Sequence, residues 1–392
     1  MPPSWTPLPG PTKLSEDSGK YFRDQNAARY PPHPFQPAVE AILEQQPDVN
    51  TSEIDIAACG STLGNLLRFV RHEDRAFRML VEVVGNTVFL VRRENSPTEL
   101  IPGVHGFGHT FPEAYTTWDK QVKGSESHQR IIRYSFGGMK CLVRFEADGY
   151  LAHLVPKQSP APTNNIGVED DINVALSFQF GETAIDSIQP SDDQPASITI
   201  QHGGQLIPQE SIFDLKTRSF RKKDTDVLGN EIQRLWISQI QNFVLAFHTD
   251  GVFEETEINS QNVQDKVKRW EADNADTLRK FISLLRKVVL FARGWEDGRL
   301  ELNRDEGAQV LEFRKQCSDA GTVLPNDLQD RWVTPFREQP VSEQAGSFSA
   351  SSHLHKSDRE EDDYFVEWDD GSEKDYTACS ASLCGYCGHC KS

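Results

Sequence analysis

Carboxylates at the ends of β-type segments are the residues of this chain whose types and spacing could support chemistry. Glu146 and Asp148 follow a β-type run and stand two positions apart, so on a strand their side chains share one face. Asp214 and Lys216 repeat this spacing later in the chain, again at the end of a short apolar run. We therefore expect two β-edges that together present three acids and one amine.

This combination of groups is typical of sites that hydrolyse phosphodiesters. Hard carboxylate oxygens bind Mg²⁺ or Mn²⁺, and such an ion polarises a phosphoryl oxygen and activates a water molecule. The ammonium group of Lys216 would orient that water or neutralise the charge that develops on the phosphate. Strand-terminal acids are also common as the solvated ends of sheets, so on spacing alone both interpretations remain open.

The overall charge limits the kind of nucleic-acid surface that the chain can offer. Its 392 residues include 59 acidic and 41 basic side chains, a formal net charge of −18. This balance argues against a broad, non-specific surface for nucleic acid or anionic membranes, although a local basic channel remains compatible with it. The densest basic run begins beside the expected metal site, and its members are predicted to bind the substrate: Arg218, Arg221, Lys222 and Lys223. A solvated basic loop is the alternative.

With these motifs the sequence resembles the PD-(D/E)xK nuclease superfamily, in which an acidic strand precedes a (D/E)-x-K strand. More specifically, it is similar to the decapping exoribonucleases, which remove non-canonical or incomplete 5′ ends of RNA, and it resembles a divergent, fungal-type member. The likeness covers about residues 36 to 295. The segments that carry it follow the family's order: Asp55 to Leu63, Gly108 to Glu113, Glu146 to Asp148, Asp214 to Lys216, Trp236 to Gln239 and Ala246 to His248.

The resemblance implies a role for each matching residue. The ligands of the Mg²⁺ or Mn²⁺ ion would be Glu113, Glu146, Asp148 and Asp214. Of these, Glu113 would complete the ligand shell directly or through water. Lys216 would position the attacking water, and Gln239 would hold that water or a phosphate oxygen.

Four departures from the family pattern affect what the site can bind. Cys59 and His248 stand where the family has arginines, the motif that ends at Glu113 is longer by one residue, and the segment after Gln239 is shorter than usual. Arginine contacts phosphate through two parallel hydrogen bonds, which cysteine and histidine cannot do. Metal binding could therefore survive with a different choice of substrate, or catalysis could be lost.

Four cysteines crowd the last residues of the chain: Cys379, Cys384, Cys387 and Cys390. Two-residue gaps that contain glycine let a tight turn direct successive thiolates at one centre, which predicts tetrahedral Zn²⁺. An iron–sulfur cluster is a less favoured alternative, and His389 could replace one thiolate. A site closed by four ligands has no open position, so this cysteine knuckle would be structural or would dock a partner.

Composition divides the chain into four parts. These are a Pro-rich extended arm (1–35), a nuclease-like domain (36–335), an acidic flexible linker (336–375) and the four-cysteine metal-binding tail (376–392).

Periodicity predicts an α/β or α+β domain, since β-type segments come first and helical ones follow. The clearest β-hairpin spans residues 77–92 around Gly85-Asn86. Apolar residues recur at helical spacing over 37–44, 226–248 and 263–295, and a further helix is expected over 306–317. The family resemblance adds that the central sheet is mixed and flanked by helices.

Other features limit where and on what the chain acts. There is no apolar run of membrane-spanning length and no signal peptide at the amino terminus, so we expect an intracellular protein, nuclear or cytoplasmic, that is not secreted. The sequence thus favours metal-dependent hydrolysis of phosphodiester or pyrophosphate bonds in nucleic acid, with RNA 5′ ends as the favoured substrate. The alternative is a catalytically inactive protein of the same fold that binds a protein partner through its acidic tail and zinc knuckle.

Metal analysis of the purified protein checks the cysteine tail. We expect about one Zn²⁺ per chain, because four thiolates at this spacing satisfy a tetrahedral ion. A preparation without metal, in which all four thiols react freely with an alkylating reagent, would contradict the zinc site.

Overall fold

The computed structural model describes residues 1–156, 183–186, 198–317 and 320–334. The predicted linker and the four terminal cysteines (Cys379, Cys384, Cys387 and Cys390) lie outside the described residues. The described helices are α1 (Gln25–Arg29), α2 (Gln36–Gln45), α3 (Gly60–Val70), α4 (Thr110–Tyr115), α5 (Val227–Ile237), α6 (Gln264–Asp273), α7 (Ala275–Arg293) and α8 (Asn326–Val333).

The strands form a mixed α/β architecture with these helices, which confirms the predicted fold class. They are β1 (Ser4–Trp5), β2 (Thr12–Lys13), β3 (Ile56–Cys59), β4 (Phe77–Val84), β5 (Thr87–Arg92), β6 (Thr116–Thr117), β7 (Gln129–Phe136), β8 (Met139–Glu146), β9 (Gly149–Tyr150), β10 (Thr183–Asp186), β11 (Thr199–His202), β12 (Ile212–Ser219), β13 (Asn242–Thr249), β14 (Val252–Asn262), β15 (Arg299–Arg304) and β16 (Glu312–Lys315). β10 and β11 form a separate antiparallel pair.

The first sheet has the strand order β16-β15-β4-β5-β3-β8-β7. The hairpin predicted over residues 77–92 is confirmed, because β4 pairs antiparallel with β5 and Gly85 adopts a φ of +61° in the turn. β3 lies between β5 and β8 and runs parallel to both, so the sheet is mixed.

The second sheet has the order β2-β14-β13-β12-β9-β1-β6. β12 runs parallel to β13, with Asp214 opposite Phe243, and antiparallel to β9, with Phe213 opposite Gly149. The chain leaves the first sheet at Glu146, the last residue of β8, and enters the second at Gly149, the first residue of β9. The Glu-x-Asp segment is therefore the crossing between the two sheets.

Alternation along β12 separates two groups of side chains. Ile212 belongs to the large core cluster that contains residues of both sheets together with Leu66 of α3 and Leu235 of α5. Phe213 and Leu215 face the other way, into an aromatic cluster with Trp5, Phe107, Phe111, Tyr115 and Phe253. Asp214 and Lys216 share the Ile212 face, because successive side chains of a strand point to opposite sides.

The helix predicted over 226–248 ends at Ile237, so the prediction was wrong beyond that residue. Gln239 adopts a φ of +52°, and the N–H groups of Gln239 and Ile240 donate to the carbonyls of Trp236 and Leu235, at 3.2 and 3.0 Å. This pair of hydrogen bonds is a Schellman motif, which satisfies the last helical carbonyls. The motif turns the chain into β13.

The helix predicted over 306–317 was also wrong, since the segment contains β16. Leu302 of β15 lies opposite Phe313, so the segment extends the edge of the first sheet. Leu311 and Phe313 both pack against the core cluster, whereas Glu312 and Arg314 are exposed. This alternation has the period of a strand, and pairing with β15 satisfies its backbone groups.

The Pro-rich segment 1–35, for which the composition predicts an extended arm, contributes β1 and β2 to the second sheet. Met1 is buried, and the carbonyl of Pro3 accepts a hydrogen bond from the N–H of Tyr150 at 3.0 Å. Proline lacks a donor but keeps its acceptor, so a Pro-rich segment can still pair along one side.

In the part of the chain that the structure describes, no helix combines the length and the apolar character needed to cross a membrane.

Replacing Gly149 by Ala should destabilise the fold by about 1–3 kcal/mol, because the added Cβ overpacks the site. That Cβ would lie 2.5 Å from Cζ of the fully buried Phe213 and 2.8 Å from the carbonyl oxygen of Pro3. Urea denaturation measures the change. Gly60→Ala is the matched control, since its nearest neighbour would be an ordinary 3.6 Å away. A Gly149→Ala protein as stable as the control would contradict the close packing of β9 on β12.

Candidate functional site

Asp148 and Asp214, which come from the two predicted β-edges, are neighbours in space. The pairing of Gly149 with Phe213 places the crossing segment beside β12. The N–H of Leu215 donates to Oδ2 of Asp148 at 2.6 Å, so the Asp148 carboxylate lies directly against the Asp214 strand. Two segments far apart in sequence are thus joined by main-chain pairing and by one side-chain hydrogen bond.

Glu146 and Lys216 lie in the same cleft. Burial raises the pKa of Glu146, and the charges of Lys216 and Arg29 oppose that rise. The side chain of Glu146 nevertheless remains accessible to solvent, so it lies at the rim of the cleft. Lys216 is half-buried, and its ammonium has no ion pair or hydrogen bond with another described residue, although it interacts electrostatically with Asp148.

The pKa of Asp148 rises to about 7 in this setting. Burial is the largest cause, and the second is the negative charge of Asp214. The cations Lys216 and Arg234 and the N–H of Leu215 act in the opposite direction. A carboxylate whose charge is disfavoured by a second carboxylate is a natural ligand for an added cation.

Two charged residues of α5, Glu231 and Arg234, complete the site and were missing from the sequence-based prediction. Both terminal nitrogens of Arg234 contact Asp214, with Nη2 donating to Oδ1 at 2.5 Å and Nη1 contacting Oδ2. Nε of Arg234 lies 3.1 Å from Oε2 of Glu231. The side chains of Asp214 and Glu231 are each only 1% exposed. We call Glu146, Asp148, Asp214 and Glu231 the carboxylate cluster.

Charge balance explains how these buried groups are tolerated. Burial alone would raise the pKa of Glu231, but neighbouring cations outweigh it and lower the pKa. These cations are Arg234, Lys216 and Arg218. Burial would lower the pKa of Arg234, yet nearby carboxylates raise it, namely Asp214, Glu231 and Asp148. A buried ion is stable in the interior only when it is paired in this way.

The sequence does contain a signal for these two residues. Glu231 and Arg234 stand three positions apart on α5, which brings them to one side of the helix. Most other residues of this helix are buried and apolar. Opposite charges at this spacing on a largely buried helix indicate a buried ion pair, which requires a partner from another element.

The four predicted substrate-binding residues have different surroundings. Arg218 points toward the cluster, with Nη2 3.8 Å from Oε1 of Glu231. Arg221 and Lys222 are exposed on the turn that follows β12. Lys223 is engaged elsewhere, since Nζ lies 2.6 Å from Glu257 and 4.6 Å from the ring centroid of Phe220.

Glu113 and Gln239 are not brought to the carboxylate cluster. Glu113 is exposed on α4, within electrostatic range of Tyr21 and His109. The buried side of α4 packs on the Phe213 face of β12, opposite the face that carries Asp214. The side-chain amide of Gln239 donates to the carbonyl of Trp236 at 2.6 Å, so this residue caps α5.

Cys59 and His248, at which the resemblance predicts arginines, make structural contacts. Sγ of Cys59 accepts a hydrogen bond from Nη2 of Arg144 at 3.0 Å, and the Arg144 guanidinium stacks 5.0 Å from the ring of Phe35. The His248 ring packs 4.5 Å from that of Phe107. An arginine from β8 thus lies beside Cys59, although it is itself buried.

The carboxylate cluster fits a divalent ion in the type of its donors, since hard oxygens are what Mg²⁺ and Mn²⁺ prefer. Its arrangement is closed by Arg234, which holds both oxygens of Asp214. Among the described residues, no three His, Cys, Asp or Glu side chains are assembled around a common position for a metal ion. The guanidinium of Arg234 thus covers Asp214, which is only 1% exposed.

Comparison with known proteins gives one family match and several distant structural likenesses. A family model described as "Domain of unknown function (DUF8563)" matches residues 1–294. No curated protein matches the chain.

Three solved structures to which the chain is similar come from yeasts. Candida albicans Rai1 in complex with pU5-Mn²⁺ is 9% identical, with 76% of this chain and 80% of that chain covered and a TM-score of 0.48. Scheffersomyces stipitis Rai1 in complex with (3′-NADP)⁺ and calcium ion is 12% identical, with 76% of this chain and 79% of that chain covered and a TM-score of 0.48. K. lactis Dxo1 in complex with manganese is 10% identical, with 71% of this chain and 70% of that chain covered and a TM-score of 0.41.

Replacing Asp148 by Asn should change how stability depends on pH. The native chain retains the Asp148 proton up to about pH 7, whereas the unfolded chain releases it near the ordinary value of 3.8. Because the unfolded chain binds fewer protons within this window, the group's contribution to the free energy of unfolding falls as pH rises from about 4 to about 7. In Asp148→Asn this fall is absent.

Urea denaturation at several pH values, in buffer with a chelator, checks this prediction. Asp273→Asn is the control, since Asp273 is exposed at the end of α6. An Asp148→Asn protein with the same pH profile as the wild type would contradict the raised pKa.

Proposed function

This chain belongs to the DUF8563 family, and we propose that it hydrolyses phosphodiester or pyrophosphate bonds in nucleic acid with the help of a divalent ion. The observation that carries this proposal is the direct apposition of Asp148 to the Asp214 strand, with Lys216 in the same cleft. RNA 5′ ends are the favoured substrates because the order of the motifs along the sequence resembles that of the decapping exoribonucleases.

The chain's own residues would divide the work of binding and positioning. The Mg²⁺ or Mn²⁺ ion, when bound, would supply a Lewis acid for the phosphoryl oxygen. Asp148, Asp214 and Glu146 would hold it. The half-buried ammonium of Lys216 would donate hydrogen bonds to the attacking water or to a phosphate oxygen, since it has no other ion pair among the described residues.

The basic residues would bind the phosphates of the substrate strand. Arg218 lies nearest to the carboxylate cluster, and Arg221 and Lys222 extend the positive charge outward on an exposed turn. Lys223 would contribute less, because its ammonium is paired with Glu257. A short local track of this kind is compatible with an acidic protein, since phosphate contacts depend on local charge.

Two of the predicted roles are reassigned in this proposal. Glu231 takes the place of Glu113 as the fourth carboxylate, because it contacts Arg234 inside the cleft. Gln239 is left as a helix cap, since its amide is bound to the Trp236 carbonyl.

The carboxyl-terminal region keeps the role predicted from its sequence. Zn²⁺ bound by Cys379, Cys384, Cys387 and Cys390 would be structural, and the acidic segment beside it would offer a surface for a protein partner. A nuclear or cytoplasmic location is part of the same proposal, because reduced thiolates of this kind persist inside cells.

A second candidate function is favoured by one observation. Both oxygens of Asp214 are held by Arg234, which leaves this carboxylate paired without a metal ion. A protein that remained in this state would bind nucleic acid through its basic turn without cleaving it.

Incubation of the purified protein with Mn²⁺ and 5′-modified RNA tests the catalytic proposal. We expect removal of the 5′ group or degradation of the RNA. Asp214→Ala should abolish the activity, because it removes a central carboxylate. Lys216→Ala should lower the activity by about 10²-fold or more, as is typical when a positioned proton donor is lost.

Lys268→Ala is the matched control for the lysine variant, since Lys268 is exposed on α6, and its activity should equal that of the wild type. Activity that persists in Asp214→Ala, or that never occurs with any RNA or DNA, would contradict hydrolysis at this site. RNA binding without cleavage by the wild type would instead support the second candidate.

A further inference from the structure

Arg234 combines three properties that set it apart from the other cations of the cleft. Its Nη1 and Nη2 atoms engage both oxygens of Asp214, and its Nε contacts Glu231 at 3.1 Å. The two carboxylates are each 1% exposed, whereas the Arg234 side chain is 30% exposed. The guanidinium therefore covers the buried acids and is itself reachable from solvent.

Arg234 covers Asp214 on the side that faces solvent. Its two terminal nitrogens occupy one lone pair on each Asp214 oxygen, and the Asp214 side chain is only 1% exposed, so its remaining lone pairs are not open to an ion from solvent. Asp148 offers less than its full carboxylate, since its Oδ2 accepts the N–H of Leu215 at 2.6 Å. Access of the ion to Asp214 depends on the displacement of Arg234.

Glu231 allows that displacement without loss of the arginine's second partner. The ion pair with Glu231 uses Nε, whereas the contacts with Asp214 use the two terminal nitrogens. The terminal nitrogens can therefore turn away while the Nε contact keeps the side chain in the cleft. Phosphate is the ligand best suited to receive them, because a guanidinium binds phosphate and carboxylate with the same two-pronged geometry.

We propose that Arg234 is a positioning residue that exchanges Asp214 for a phosphate group of the nucleic-acid substrate, so that a divalent ion reaches Asp214 only when substrate phosphate is bound. This inference rests on the proposed function. It makes metal binding conditional on substrate, and it assigns to α5 the phosphate contact that Cys59 and His248 cannot provide.

Manganese binding measured by electron paramagnetic resonance of free Mn²⁺ tests the exchange. The probe is 5′-phosphorylated pentauridylate with phosphorothioate linkages, with the 5′-hydroxyl form as matched ligand and a titration of each RNA alone subtracted. In the wild type, the phosphorylated probe should tighten Mn²⁺ binding about tenfold or more, or about 1.4 kcal/mol. In Arg234→Gln, Mn²⁺ should bind that tightly without RNA, and the probe should add less than twofold.

Two further variants separate exchange from a general effect on folding. Arg234→Lys keeps the charge but loses the two-pronged contact, so its Mn²⁺ affinity without RNA should lie between those of the wild type and Arg234→Gln. Arg71→Gln is the control, because Arg71 contacts Gln233 of the same helix at 2.9 Å from outside the cleft, and it should behave as the wild type.

The outcomes distinguish failure of this inference from failure of the proposed function. Equal, RNA-independent Mn²⁺ binding by the wild type and both Arg234 variants, lost in Asp214→Ala, would overturn the exchange while leaving the metal site intact. An absence of Mn²⁺ binding in every variant, with or without RNA, would overturn the exchange together with the metal-dependent function.

Discussion

The pairing of β9 with β12 is the constraint on which the candidate site depends. β9 has only two residues, but both neighbours hold it, since Tyr150 donates to Pro3 and Leu151 donates to Ser211. Asp148, just before β9, extends the contact by accepting the N–H of Leu215. The same carboxylate thus supports the sheet and contributes to the site, so a change in this pairing would alter both.

The cleft also contains several buried charged groups. Removing carboxylates from water is costly unless each finds a partner, and Asp214 and Glu231 find theirs in Arg234. The charge of Asp148 is less fully compensated. Its raised pKa reflects its burial and the negative charge of Asp214 beside it. In this state Arg234 is paired with Asp214, whereas the proposed function requires a divalent ion at that carboxylate.

The cations that would bind phosphate in the proposed function differ from those that the sequence motifs suggest. Cys59 is tied to Arg144 and His248 is packed among aromatic rings, so neither offers a cationic contact to a substrate. The cations that do border the carboxylate cluster include Lys216 and Arg218 of β12 and Arg234 of α5, together with Arg29 and Arg68. In the proposed function, these cations would bind the phosphate in place of arginines at positions 59 and 248.

The sequence by itself determined the features that depend on neighbouring residues. Turn chemistry at Gly85-Asn86 fixed the β4–β5 hairpin, and period-two spacing placed Asp214 and Lys216 on one face of a strand. Only the tertiary structure decided that 1–35 completes a sheet, that α4 carries Glu113 away from the cluster, and that Arg234 covers Asp214. These outcomes depend on which segments meet across a sheet or beneath a helix, and local periodicity contains no information about partners that are distant in the chain.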